Sequence, residues 1–167
     1  EISACLVGSE MCIRDSYVNL CEEHGIKNIR HSLDEMLVID YIVANEDRHF
    51  NNFGVIRNAE TLEWLSAAPI FDSGTSLGYN RLERSIADIK VCKPFKKTHN
   101  EQLQLVTSFD WIEFSKINGI VDEISALLSE KKTLSYIEEA RRDAISELVS
   151  DRIRRLERFA LDHTKSK

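Results

Sequence analysis

Apolar and polar positions alternate along the chain in stretches of helical period, broken once by a stretch that reads as strands. Residues 17–24 suit a short helix stopped by Gly25, a residue that readily takes the left-handed conformation ending helices. Leu33, Met36, Leu37 and Tyr41 then recur at helical spacing, and Ser32 with Glu35 makes the Ser-x-x-Glu pattern of a capping box. This second helix is expected to run to about Ala44. Residues 53–57 and 62–65 flank Asn58-Ala59-Glu60-Thr61, whose composition predicts a hairpin turn. Pro69 restricts Ala68 to an extended backbone, and Gly74 permits a sharp turn. From Asn100 onward the pattern is helical again: residues 103–106, 111–117 and 120–128, then a long helix from about Leu134. Ile137, Ala140, Ala144, Leu148, Ile153 and Leu156 supply its apolar stripe. The expected fold class is mainly α (α+β), with one small β-hairpin among helices.

Composition narrows the class of molecule. The 167 residues, 43% hydrophobic and 30% charged, can bury one ordinary core, so one domain or lobe is expected. A net charge of −6 argues against a generic nucleic-acid binder. Arg141, Arg142, Arg152, Arg154, Arg155 and Arg158 are matched by neighbouring acids, which favours surface pairing over an RNA-binding stripe. Lys90, Lys93, Lys96, Lys97 and His99 cluster around Pro94; a solvated face is the simpler reading, a phosphate or acidic partner the other. No run approaches the roughly 18 apolar residues that suggest a membrane helix, so no membrane association is expected. Cys5, Cys12, Cys21 and Cys92 are expected to be free thiols in a reducing compartment, the cytoplasm by default. Cys21, His24 and His31 lack the paired spacing of a structural zinc site.

The chemistry concentrates in Asn45-Glu46-Asp47-Arg48-His49-Phe50-Asn51-Asn52 and, after the hairpin, Ala68-Pro69-Ile70-Phe71-Asp72-Ser73-Gly74. Phosphoryl transfer from ATP needs a carboxylate to take the acceptor hydroxyl's proton and oxygen ligands to hold magnesium on the phosphates. Asp47, Asn52 and Asp72 offer that set. Asn52 follows Asp47 by five positions and Asp72 follows Asn52 by 20, the order of the catalytic aspartate, metal-binding asparagine and second metal-binding aspartate of kinases.

Asp-Arg-His-x-x-Asn resembles the catalytic motif of phosphatidylinositol kinases and of HipA-like serine/threonine protein kinases. The surrounding text is more similar to the HipA-like family: Asp40-Tyr41-Ile42-Val43-Ala44-Asn45 before the motif, Phe53-Gly54 after it, and Ala68-Pro69-Ile70-Phe71-Asp72 at the second site. Lys93-Pro94-Phe95 and the closing helices are similar in layout to that family's C-terminal lobe. The resemblance implies a kinase-like helical C-terminal lobe and an ATP- and magnesium-dependent toxin kinase. It also implies a protein substrate and a small DNA-binding antitoxin as partners; from the net charge, no direct nucleic-acid contact is expected.

In that frame Asp47 is the base, and Asn52 and Asp72 hold magnesium and ATP. Arg48 and His49 complete the catalytic set, either steadying the loop or stabilising phosphate charge. Asn45 and Asn51 are read as turn formers, and residues 73–80 as a segment that is mobile without ligand. Two alternatives stand beside this: a lipid kinase-like phosphotransferase sharing the motif, and a non-catalytic protein-binding module retaining the fold.

Met11-Cys12-Ile13-Arg14-Asp15-Ser16 back-translates to ATG TGT ATA AGA GAC AG and a pyrimidine, a transposase mosaic end used in sequencing libraries. Residues 1–16 are therefore expected to be a non-native leader, and 17–167 the HipA-like C-terminal lobe. The nucleotide-binding lobe is expected upstream of Tyr17, since neither a Gly-rich phosphate loop nor a strand lysine can be read in the chain. The lobe is expected to be inactive without it.

Overall fold

The structure is a computed structural model that describes residues 10–130 and 136–165, without the side chains of residues 10–12 and 164. Among the described residues it is mainly helical, with one two-stranded antiparallel hairpin. Helix α1 spans Glu10–Glu23 and α2 Ile29–Ile42; strands β1, Val55–Arg57, and β2, Trp64–Ala67, form the hairpin. Helices α3, Glu83–Ile86, α4, His99–Leu103, α5, Phe114–Leu128, and α6, Glu139–Lys165, follow.

Helix α2 is the central element. Ile29, Leu33, Met36, Leu37, Val38, Tyr41 and Ile42 are all buried, and α1, α4 and α6 pack around them. The helix starts one turn before the expected Ser32 cap, with Asn28 at the N-cap and no side-chain cap bond. Ile29 is 1% exposed, and the extra turn is what carries it into the core. Ala44 ends the helix region in the left-handed conformation, φ 53°, turning the chain sharply into the motif loop.

Helix α1 is longer than the expected 17–24, because residues 10–16 continue it as helix. The hairpin lies where expected, with Val55 opposite Ala67 and an irregularity between Ile56 and Arg57. Asn58 Oδ1 accepts from the backbone N–H groups of Glu60 and Thr61, which closes the turn.

Helix α5 is one helix where two segments were expected, because Gly119 is accommodated inside it. A glycine there costs only about 1 kcal/mol relative to alanine, which packing of α5 along α6 outweighs. The start of the last helix, expected near Leu134, lies outside the described residues; the helix is present from Glu139. Its buried stripe is Ile145, Leu148, Val149, Ile153, Leu156 and Ala160, with Ala144 half-buried. Ala140, expected in that stripe, is exposed.

Arg152, expected on the solvent face, is buried instead. It donates to the carbonyls of Tyr41 and Ile89 and stacks over the Tyr41 ring at 5.0 Å. Tyr41 sits in the last turn of α2, where carbonyls have no partner within the helix, so a cation from α6 satisfies both the oxygen and the helix dipole.

Cys21 and Cys92 are free and buried; the side chains of Cys5 and Cys12 lie outside what is described. Among the described residues no helix is long and apolar enough to cross a membrane.

Candidate active site

The loop of residues 45–52 is built on one buried arginine. Arg48 is fully buried, and each of its five N–H groups has an acceptor. Nε and Nη2 form a two-pronged pair with Asp40 of α2, both at 2.8 Å. Nη1 donates to the Asn52 carbonyl at 2.9 Å and also to the Phe71 carbonyl. Nη2 reaches Ser73 Oγ at 3.1 Å. A single guanidinium therefore ties the helix that precedes the loop, the end of the loop, and both neighbours of Asp72.

Asn45 adds a second tie of the same kind. Its Nδ2 donates to Asp40 Oδ1 at 2.9 Å, while its Oδ1 accepts from Asp47 N and, at 2.7 Å, from Thr75 Oγ1. The backbone repeats the connection, from Glu46 N to Thr75 O and from Leu77 N to Val43 O. Arg81 then pairs with Glu46, and Arg141 of α6 donates to the carbonyls of Gly78 and Arg81. The segment expected to be mobile is thus bonded to the loop and to α6 along its length.

The three proposed chemical groups differ in setting. Asn52 is 5% exposed and spends its Nδ2 on the Asp47 carbonyl at 3.3 Å, which leaves the amide oxygen as its acceptor end. Asp72 is exposed and in the left-handed conformation, φ 53°, a strained backbone for a non-glycine residue. Among the described residues its carboxylate has no hydrogen-bond or ion-pair partner. Asp47 is half-exposed, and Lys93 Nζ lies 2.6 Å from its Oδ1. That hydrogen bond holds the Asp47 carboxyl below its usual pKa, with the charges of Lys93 and His49 adding to the effect against partial desolvation. His49 Nδ1 accepts from Asn51 N at 3.3 Å and so shapes the turn.

The fold thus brings Asp47, Asn52 and the Asp72 segment onto one loop cluster, with Arg48 as its scaffold. With all five donors committed, Arg48 steadies the loop rather than facing a phosphate. Asp40, Thr75 and Lys93 also belong to the cluster. Sequence reasoning placed Asp40 in the text before the motif and Lys93 in a lysine cluster open to phosphate or an acidic partner, but it did not pair Asp40 with Arg48, Thr75 with Asn45 or Lys93 with Asp47. Asp40-x4-Asn45-x2-Arg48 was the available signal, since a helix-end carboxylate followed by its two partners is a buried pairing pattern.

Among the described residues no three His, Cys, Asp or Glu side chains gather as an all-protein metal cage. The donor set fits magnesium all the same, because that ion is commonly held by one or two carboxylates together with substrate phosphates and water. A cleft of about 430 Å³ lies elsewhere, between Tyr41, His99, Arg152 and Arg155, while Asp47 and Asp72 of the loop cluster are open to solvent. An open face is what a site completed by another element would present, so chemistry rather than cleft size guides the assignment.

Comparison with protein families, with curated proteins and with solved structures found no match to this chain.

Proposed function

We propose that this chain is the C-terminal lobe of an ATP- and magnesium-dependent kinase of the HipA-like type, transferring phosphate to a serine or threonine hydroxyl. The observation carrying the reading is Arg48 Nη1, one nitrogen bonded to both the Asn52 and Phe71 carbonyls, which joins the two halves of the motif at a distance of 19 residues in sequence. The same guanidinium thus brings the Asn52 stretch next to the stretch that carries Asp72.

In this reading Asp47 takes the proton of the incoming hydroxyl, Asn52 Oδ1 and the Asp72 carboxylate hold magnesium, and Arg48 with Asn45 fixes their spacing. Magnesium, when bound, neutralises charge on the phosphates and aligns them. Asp47, its pKa held below the ordinary carboxylate value by the Lys93 hydrogen bond, is ionised at neutral pH as any exposed aspartate is, so it can accept a proton. A toxin role, a protein substrate and a small DNA-binding antitoxin come with the family resemblance and belong to the same proposal, as does a nucleotide-binding lobe working with this one.

Calorimetry with magnesium and ATP tests it, on this chain and on a longer one carrying the reading frame upstream of Tyr17. Binding that Asp72→Ala abolishes is the expected result. Absence of binding by both chains would instead favour a non-catalytic binding module.

A further inference from the structure

Lys93 is an exposed lysine on an unusually well-held backbone. The buried side chain of Gln102 grips its segment from both sides: Nε2 donates to the Lys93 carbonyl at 2.6 Å, and Oε1 accepts from Phe95 N at 3.1 Å. Phe95, fully buried, packs against Phe50 and Phe53 at ring-centroid distances of 6.0 and 5.7 Å. Phe50 and Phe53 bracket Asn51 and Asn52, so the lysine's backbone is anchored to the same loop that carries the candidate base.

Its ammonium rests on Asp47, yet both side chains are open to water, 57% and 42% exposed. An exposed pair of this kind is weak and readily exchanges partners. That contrasts with the rigid mounting beneath it. A lysine needed only for surface charge gains nothing from a buried glutamine and an aromatic anchor; one that must present a cation at a fixed place gains from both.

We propose that Lys93 steadies the transferring phosphoryl group by its charge, an assignment resting on the kinase reading above. In the resting molecule the ammonium occupies Asp47; with substrates bound, the acceptor hydroxyl takes that position and Lys93 moves to the terminal phosphate of ATP. The hydroxyl oxygen then bonds to phosphorus as the bond from phosphorus to the ADP oxygen breaks. The hydroxyl proton passes to Asp47, and the electron pair of the broken bond leaves on ADP. Lys93 keeps its proton throughout and offsets charge on the transferring group as a mobile point cation.

The prediction separates ATP from ADP, since only ATP carries the phosphate that Lys93 is assigned to hold. Calorimetry with magnesium, on this chain and on the upstream-extended one, compares the unsubstituted protein with Lys93→Met, Lys93→Arg and Asp72→Ala. Lys93→Met is expected to weaken ATP on the order of tenfold while ADP changes less than about twofold. Lys93→Arg restores most of the ATP affinity, and Asp72→Ala weakens both nucleotides. Equal losses for ATP and ADP, or no loss, overturn the assignment of Lys93 and leave the kinase reading standing. Failure of both unsubstituted chains to bind either nucleotide overturns the kinase reading, and the role of Lys93 with it.

Discussion

Two buried arginines each lie near a buried aspartate of α2, and they are not equivalent. Arg48 is wholly enclosed, with its five donors paired and Asp40 at 2.8 Å. Arg14, 6% exposed, leaves Nε and Nη2 without a hydrogen-bond partner, and its nearest approach to Asp34 is 3.9 Å. Asp34 spends its oxygens on Thr107 and Ser108 instead. Burial of a charge is tolerated when its polar atoms are matched and is costly when they are not. Arg48 belongs to a loop shaped around it; Arg14 is enclosed with only Nη1 hydrogen-bonded, to Asp15 at 3.3 Å.

Substitution should separate the two most sharply. Removing Arg48 strands Asp40 in the interior, so Arg48→Ala is expected to lower stability by about 3–5 kcal/mol, read as a shift in the urea midpoint. Arg14→Leu exchanges an ill-paired charge for apolar surface and should change stability by less than about 1 kcal/mol in either direction. Similar losses at both sites would break the comparison.

His99 shows a third outcome, in which a buried group loses its charge. The ring is 3% exposed with Nε2 unpartnered; burial, then the charge of Arg152, pushes its pKa down to about 3. The unfolded chain takes up this proton near pH 6.5 and the folded one does not until near 3, so stability is full above 6.5 and falls steadily towards 3. The loss should reach about 2 kcal/mol at pH 5. Urea titrations at pH 7 and pH 5 measure it, and His99→Gln should flatten most of the difference. An equal pH dependence in the variant would place the effect elsewhere.

Much of this was readable from residue order, though unevenly. The hairpin followed from its turn residues, which depend on near neighbours, and with it the return of the Asp72 stretch towards the loop of Asp47 and Asn52. The capping boxes show where that fails. Ser32 with Glu35 and Thr98 with Glu101 have the same pattern, yet the box forms only at Thr98, where both reciprocal bonds are made. At α2 the burial of Ile29 drew the start of the helix back one turn, and sequence spacing does not report that pull. Arg152 was misplaced for a related reason: the carbonyls it satisfies lie 111 and 63 residues away, on elements whose packing is invisible in a local pattern. The partners of Arg48 across the hairpin, and of Asp47 at Lys93, are likewise long-range.

The central claim is that Arg48 holds two separate stretches together as one magnesium–nucleotide site. Manganese can stand in for magnesium and broadens the NMR signals of nuclei close to it. Added below stoichiometry with ATP, it should broaden the amides around Asn52 and Asp72 together and spare those around His99 and Arg152. Broadening centred on the His99 cleft, or at only one of the two stretches, would contradict the account.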